Sequence, residues 1–490
     1  MASTSAAITR DLRPMAQPYS PPCLDAPIRV EPCPEQAGRL PGIRVQTRGL
    51  IACILASSMA FIDGSALTVA LPALKADLNG NVVAVQWVLN GYVLALAALT
   101  MIGGSLVDTF GRSRMLIWGC VGFALTSAAC ALAPGALTLI LSRIAQGAAA
   151  AIVTPASLAL IGELFAKSER SKAIGIWAAA SALTTAGGPI LGGWLVEVFS
   201  WRAVFWINLP IAAVTIALLA TLNKPQVRTP RRFDIPGSVL LALGLLVFAL
   251  AMSFIAPIEG ETVAAEPRQT PTYTFVLFGV SAILFAGFWL WQKRTEHPLL
   301  PGYIFRNQTF TGLNLATLAL YAGLSIMFFL LPFELIERRG LSPIESGLVF
   351  LPFTLCVGFL SRSFGAMADR IGIKPMLMAG SIMTAIGFAW FAIDQDAALW
   401  RGIIAPMTIC GLGFAALVAP LTAGVLENVK DADEGLASGI NNTASRIAQM
   451  VGVALAAVFA GAAMGYVIGL WLSAMMSISS AIIIAITYER

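Results

Sequence analysis

Two charged side chains fall well inside long apolar segments of the sequence, where charge is rare. Asp63 lies in the segment 49–72 and Arg143 in the segment 137–160. A charge at the centre of a bilayer costs at least about 2.5–3.5 kcal/mol, so residues of this kind usually carry function. At a rise of 1.5 Å per residue, Asp63 lies about 21 Å and Arg143 about 26 Å from the same predicted face of the membrane. An arginine side chain can bridge this difference in depth of about 5 Å. We therefore expect the two groups to meet if these segments adjoin.

Such a pair is able to couple proton movement to transport. Asp63 would bind and release a proton, and movement of Arg143 would change how tightly the carboxylate holds it. A cationic substrate that competes with the proton for the same carboxylate gives exchange without further groups. The alternative is a static pair of Asp63 and Arg143 that only fixes the packing of two helices.

A second set of side chains is predicted to contact the substrate. Aromatic rings can receive flat hydrophobic compounds, and polar groups in apolar segments can orient them. The candidates are Asp63, Asn90, Tyr92, Gln146, Phe329 and Arg446. Arg446 stands about ten residues into the segment 436–457, beside several other polar residues. It either lines a cavity or only forms hydrogen bonds between helices.

The composition requires a membrane around these residues. Of 490 residues, 58% are hydrophobic and 12% are charged, whereas soluble domains have roughly a quarter of their residues charged. A helix needs about 20 mostly apolar residues to cross a bilayer. The sequence divides into fourteen such segments, which predicts an all-α membrane protein: 49–72, 82–105, 114–133, 137–160, 172–195, 203–223, 236–256, 273–292, 310–333, 345–366, 375–394, 402–426, 436–457 and 463–487.

The segments are expected to form two bundles of six helices. Residues 1–48 are predicted to be a disordered tail, 49–225 the first bundle, 226–305 a linker with two extra transmembrane helices, and 306–490 the second bundle. Most lysines and arginines outside the apolar segments fall on the side of the tail. Cytoplasmic loops carry this excess, so both termini are predicted to lie in the cytoplasm and the protein in the cytoplasmic (inner) membrane.

An internal repeat supports the division into halves. Residues 104–113 read GSLVDTFGRS and residues 365–374 read GAMADRIGIK. Two glycines and one aspartate align between them without a gap. Parallel repeats of this kind are typical of transporters.

Several stretches resemble the major facilitator superfamily and, within it, the 14-spanner drug/proton antiporters. Residues 104–113 are similar to the family's loop motif G-x-L-x-D-r-x-G-r-k, with Thr109 where a basic residue is usual. The stretch GGPILGG is similar to the antiporter motif g-x-x-x-G-P-x-x-G-G, with Thr184 in place of its first glycine. The residues carried over from that motif are Gly188, Pro189, Gly192 and Gly193. The resemblance also implies a conformational gate formed by Gly104, Asp108, Gly111, Arg112, Asp369 and Arg370.

These observations together favour a secondary active exporter that exchanges hydrophobic, cationic compounds for protons by alternating access. The seven cysteines form no CxxC and the chain has no Walker loop, so neither a metal nor a cofactor is expected and the proton gradient supplies the energy. The expected partners are small hydrophobic substrates, protons and the lipid bilayer, without nucleic acid. A monomer is expected, and a periplasmic accessory protein is left open.

Two kinds of alternative remain at this point. A facilitator of the same fold could export one natural product or metabolite, or work as a proton symporter. A membrane-embedded enzyme would need a His, Ser or Asp constellation near a membrane face, and the one histidine of the chain lies in a polar linker. We therefore predict a transporter and not an enzyme.

Overall fold

The chain folds into long helices that run back and forth. The computed structural model describes residues 42–79, 82–222, 234–254, 272–296, 298–394, 398–429, 434–460 and 464–488, which contain no β-strand. We number the long helices of these residues in chain order: α1 Ile43–Asp77, α2 Val82–Phe110, α3 Arg112–Ala131, α4 Ala136–Leu164, α5 Lys167–Val198, α6 Ala203–Ala220, α7 Ile235–Ser253, α8 Thr272–Gln292, α9 Gln308–Arg338, α10 Pro343–Ile371, α11 Ile373–Ile393, α12 Trp400–Glu427, α13 Glu434–Ala460 and α14 Gly465–Thr487.

Thirteen helices of the described residues are long and apolar enough to cross a membrane. The helix outside that set is α5, which has 32 residues and begins with lysine, glutamate and arginine before a run rich in alanine, glycine, serine and threonine. The prediction of a multi-pass helical membrane protein is confirmed. The count of fourteen spans stays a prediction.

We call the end of the bundle where α1 begins the tail end, and the end of the bundle where α1 finishes the far end. Helix α1 begins at Ile43, within the segment predicted as a disordered tail, because polar residues can extend a helix beyond the apolar span when they find partners. Gln46 Nε2, for example, donates to the carbonyl of Leu164 at 3.1 Å. Residues 1–41 lie outside the described residues.

The internal repeat of the sequence is also a repeat of backbone conformation. Gly111 has φ 99° and ψ 137° and joins α2 to α3, while Gly372 has φ 96° and ψ 149° and joins α10 to α11. Side chains rarely tolerate these angles, so glycine is required at both joints. Gly104 faces α4 and Gly365 faces α12. The two halves therefore use the same turn and the same helix contact.

The halves meet chiefly at the far end. One buried apolar cluster near the tail end contains residues of α1 to α6 and Leu222, which follows α6, and none of the second half. Another is formed by α9 to α14 and the preceding Ile304, with Val69 as the one residue from the first half. A third cluster joins the halves and contains Val85 and Leu195 of the first and Phe329 and Val453 of the second. The domain boundaries stay a prediction.

The two extra helices lie on one side of this arrangement. Helices α7 and α8 pack on each other, and α7 also contacts α2 and α13. Leu241, Leu245 and Phe288 form a buried cluster there with Leu94 of α2 and Met450 of α13.

Candidate functional site

Asp63 and Arg143 are in direct contact at the centre of the first half. Arg143 Nη1 of α4 donates to Asp63 Oδ2 of α1 and, at 2.6 Å, to Gln146 Oε1. Gln146 Nε2 donates to Asp63 Oδ1 at 3.0 Å. The solvent-exposed fractions are 0% for Asp63 and Gln146 and 1% for Arg143. The structure thus brings together three of the predicted site residues.

Helix α6 supplies a further contact that sequence reasoning missed. Asn208 Nδ2 lies 3.4 Å from Asp63 Oδ1 and 3.0 Å from Ser127 Oγ of α3. Ser127 in turn donates to the carbonyl of Phe205. The only signal in the sequence was one amide within the apolar stretch 201–210, WRAVFWINLP.

The guanidinium of Arg143 is held on three sides. Its Nε donates to the carbonyl of Val88 at 3.1 Å. Its central carbon lies 4.3 Å from the ring centroid of Tyr92 and 5.6 Å from that of Phe205. Ring faces attract a cation, so these contacts offset part of the cost of burying the charge. Both oxygens of Asp63 are occupied, and in this state a substrate has no access to them.

Two amides on α2 are buried without partners. Asn90, predicted to contact the substrate, is 1% exposed, and Gln86, one turn earlier, is 0% exposed. Neither side chain has a hydrogen bond to any described group. Both lie on the face of α2 that carries Leu94, which packs against Met450 of α13. Asn90 therefore lies in the contact between the halves.

Phe329 also lies in that contact. Its ring is 1% exposed in the cluster that joins the halves, and its centroid is 5.5 Å from that of Phe333. A role in substrate binding stays a prediction for a state in which the far end opens.

Arg446, another predicted binding residue, lies near the middle of α13. Its side chain is half-buried on α13, and its one hydrogen bond goes to Gln449 Oε1 at 3.3 Å. The bonds between helices come from Asn441 instead, whose Nδ2 donates to Asn314 Oδ1 and Thr317 Oγ1 of α9.

The predicted gate is described in part. Arg112 pairs with Glu163 of α4 at 3.6 Å, and this contact stays within the first half. Asp369 and Arg370 are exposed at the tail end. The side chain of Asp108 lies outside the described part of the chain. The role of these residues as a latch stays a prediction.

The antiporter-like stretch packs against two helices. A Cβ added at Gly188 or Gly192 would overlap atoms of α1, and one at Gly193 would overlap the carbonyl oxygen of Pro343. A Cβ at Gly347 of α10 would overlap the carbonyl oxygen of Pro189 in the same way. Helix α5 therefore approaches α10 backbone to backbone, at the far end of the contact between the halves.

Polar contacts add to this closure of the far end. Lys75 Nζ of α1 lies 3.1 Å from Glu337 Oε2 of α9. Glu197 Oε2 of α5 accepts from the backbone N–H of Ile344 at 3.0 Å. Nearby, Glu334 is 5% exposed and accepts from the Nε atoms of two neighbouring arginines. The sequence did not reveal the burial of Glu334, because it stands at a helix end.

Comparison with known proteins decides the family. The model of the Major Facilitator Superfamily matches residues 53–361 and 313–490. The chain belongs to the major facilitator superfamily. The predicted resemblance is confirmed, and family membership indicates that this facilitator is a transporter.

Named relatives of this facilitator are resistance and export proteins. It is 32% identical over 440 residues to the multidrug resistance protein Stp of Mycobacterium tuberculosis, covering 88% of this chain and 78% of the relative. It is 32% identical over 421 residues to the tetracenomycin C resistance and export protein of Streptomyces glaucescens, covering 85% and 76%. It is 31% identical over 396 residues to the lincomycin resistance protein of Streptomyces lincolnensis, covering 80% of each.

A solved structure has the same fold. A crystal structure of the peptide transporter POT in complex with sulfate superposes with a TM-score of 0.68 at 13% identity, covering 91% of this chain and 95% of that one. At this identity the likeness extends to the fold alone.

Proposed function

We propose that this facilitator exports small hydrophobic compounds in exchange for protons. The observation that carries the proposal is the buried contact of Asp63 with Arg143, Gln146 and Asn208. A carboxylate with a movable cationic partner can bind a proton in one conformation and release it in another. The multidrug and antibiotic resistance named for the relatives supports export as the direction.

The closed far end supports alternating access. Apolar packing, backbone contact and an ion pair join the halves there, while the apolar cluster near the tail end of the first half contains no residue of the second. This arrangement suits a state that receives substrate from the tail end. With the predicted orientation, that end faces the cytoplasm.

The charge of the substrate is a separate question. A cation that competes for Asp63 is the expectation from the sequence, and it requires a state in which Arg143 withdraws. In the present state Asp63 is fully enclosed. Export of a single natural product, as the name of the tetracenomycin C resistance and export protein indicates for that relative, fits the same site and is the second candidate.

The proposal is tested with purified protein in liposomes under an imposed pH gradient. The probes are ethidium as a lipophilic cation, tetracenomycin C and lincomycin. We expect gradient-driven movement of at least one probe by the wild type. Asp63→Asn should abolish it, since a neutral amide cannot take up and release the proton.

A matched control lies on the same helix. Asp77 is exposed at the far end, where it pairs with Arg202 at 3.1 Å, so Asp77→Asn should keep most of the transport. Thermal unfolding of both variants checks that they fold. Full gradient-driven exchange by Asp63→Asn would exclude Asp63 as the coupling site, and movement of one probe alone would favour the exporter of a single compound.

A further inference from the structure

We propose that Arg446 and the polar stripe around it form the part of the transport site that recognises a negatively charged or hydrogen-bond-accepting group on an aromatic substrate. The inference rests on the proposed export function and names the substrate class that the site takes. It differs from the expectation of a cation at Asp63.

One face of α13 carries both apolar and polar residues. Met450 and Val453 lie one and two turns beyond Arg446 and are buried in the clusters that include α2. Toward the tail end, the same face carries Asn442 and Arg446, which are exposed and half-buried. This helix face is therefore apolar and buried toward the far end, and polar and partly exposed toward the tail end. Exposed polar groups at this depth line a water-filled space, because lipid would penalise them.

The charge of Arg446 is only partly satisfied by its described neighbours. An arginine carries five N–H donors, and Arg446 uses one hydrogen bond, to the neutral Gln449. No carboxylate among the described side chains lies within salt-bridge distance of it. The one described carboxylate in the middle of the helices, Asp63, is enclosed and paired with Arg143. Among the described side chains, the positive charge of Arg446 therefore has no carboxylate partner.

The neighbours of Arg446 along its helix are donors as well. Asn442 precedes it by one turn and Gln449 follows it by one turn, while the O–H of the adjacent Ser445 donates to the carbonyl of Asn442. Asn442, Arg446 and Gln449 therefore form a stripe along one helix face that offers N–H donors. A sulfonate, carboxylate, phenolate or carbonyl oxygen matches this stripe, and a bond to an ionised partner is roughly twice as strong as a neutral one.

An aromatic wall lies beside the stripe. The ring of Tyr321 in α9 contacts that of Phe414 in α12 at 6.0 Å, and Phe353 of α10 lies 5.6 Å from both Phe414 and Phe328. Helix α13, which carries Arg446, packs along α9, which carries Tyr321. Tyr321 and Phe328 are half-buried, whereas Phe353 and Phe414 are buried. Rings beside a guanidinium suit a planar ring system with an anionic or accepting substituent.

Binding of two matched probes tests the inference. Pyrenesulfonate and pyrenyltrimethylammonium share one ring system and carry permanent charges of opposite sign. Binding to the full chain in nanodiscs is followed by energy transfer from tryptophan to pyrene, with empty nanodiscs as the blank. We expect the wild type to bind the sulfonate more tightly than the ammonium compound.

Three variants separate recognition from structure. Arg446→Gln should weaken sulfonate binding roughly tenfold to hundredfold, the effect of losing a charge-assisted bond, and should not weaken ammonium binding. Arg446→Lys should keep the preference with lower affinity, since lysine retains the charge but not the planar fork. Arg362→Gln, at an exposed arginine of α10, should leave both affinities unchanged.

Several outcomes would overturn the inference. They are tighter binding of the ammonium probe by the wild type, equal weakening of both probes by Arg446→Gln, and no saturable binding of either probe. The assay uses no pH gradient. Charge recognition and proton coupling at Asp63 can therefore fail independently of each other.

Discussion

Both carboxylate oxygens of Asp63 accept hydrogen bonds from side chains of other helices. Oδ2 accepts from Arg143, and Oδ1 accepts from Gln146 and Asn208. In the proposed exchange cycle, a proton on either oxygen has to displace one of these donors, which come from α4 and α6. The proposal therefore predicts that proton binding is linked to movement of these donor groups.

Asn208 offers a test of this link at the residue scale. Asn208→Ala removes a donor from the carboxylate and leaves Ser127 its bond to Phe205. We expect the free energy of unfolding to fall by about 1–3 kcal/mol, the cost of a buried polar group that loses its partner. Gradient-driven transport should fall several-fold while Asp63 stays in place.

Thermal unfolding and the liposome assay measure both effects. Ser127→Ala is the control, because it removes a partner of Asn208 and not of Asp63. Equal transport by Asn208→Ala and the wild type would show that Asn208 is a packing residue.

The sequence predicts this site unevenly. Asp63 and Arg143 stand out because ionised groups are rare in apolar segments. Gln146, three residues after Arg143, follows from the spacing of a helix face. An amide such as Asn208 is much less unusual, and its partner is 145 residues away. Its role depends on which face of α6 turns toward α1, which the periodicity of a uniformly apolar helix does not define.

At the scale of elements, the contact of α5 with α10 is made by backbone. Gly193 lies against the Pro343 carbonyl and Gly347 against the Pro189 carbonyl. Close approach of this kind is typical of small residues in membrane helices. The resemblance to the antiporter motif predicts small residues here, and the structure adds which helix each glycine touches.

Two glycines of this stretch give a matched experiment. Gly193→Ala would push α5 and α10 apart, and overpacking of this kind typically costs about 1–3 kcal/mol. A Cβ at Gly187 has open space around it, so Gly187→Ala should leave stability unchanged or raise it by about 0.5–1 kcal/mol through helix propensity. The two changes add the same methyl group six residues apart.

Spin labels on Leu137 and Trp400, both exposed near the far end, report the separation of the halves there. We expect a longer distance for Gly193→Ala and the wild-type distance for Gly187→Ala. The same distance in both variants would contradict a closure that depends on backbone contact.

At the scale of the whole molecule, the state with the far end closed contains an unfavourable feature. Gln86 and Asn90 bury four amide atoms without partners where the halves meet. Separation of α2 from α13 would return these groups to water. The cost of burying these amides therefore offsets part of the apolar packing that closes the far end.

Replacing both amides with leucine should alter this balance. The double variant Gln86→Leu with Asn90→Leu removes the unsatisfied groups at similar volume, so we expect stabilisation by about 1–3 kcal/mol. Transport should become slower, because opening of the far end loses part of its driving force. Thermal unfolding, the spin-label distance and the transport rate measure these effects. A lower unfolding temperature or faster transport would contradict this account.

The architecture of the molecule is more predictable than its state. The all-helical membrane fold follows from hydropathy, and the matching turns at Gly111 and Gly372 follow from the internal repeat. Which end is closed depends on packing between Phe329, Val453 and their neighbours. Such packing has no signature in either half alone, because each residue involved is an ordinary apolar residue of its own helix.

The backbone contact between α5 and α10 also has a consequence for how this transporter can diversify. Any side chain larger than hydrogen at Gly193 or Gly347 would push α5 and α10 apart. We therefore expect almost no substitution to be tolerated at these two positions. The polar stripe on α13 lies on a different surface and carries none of that closure. New substrate ranges can therefore arise by single changes around Arg446 while the mechanical cycle is inherited intact.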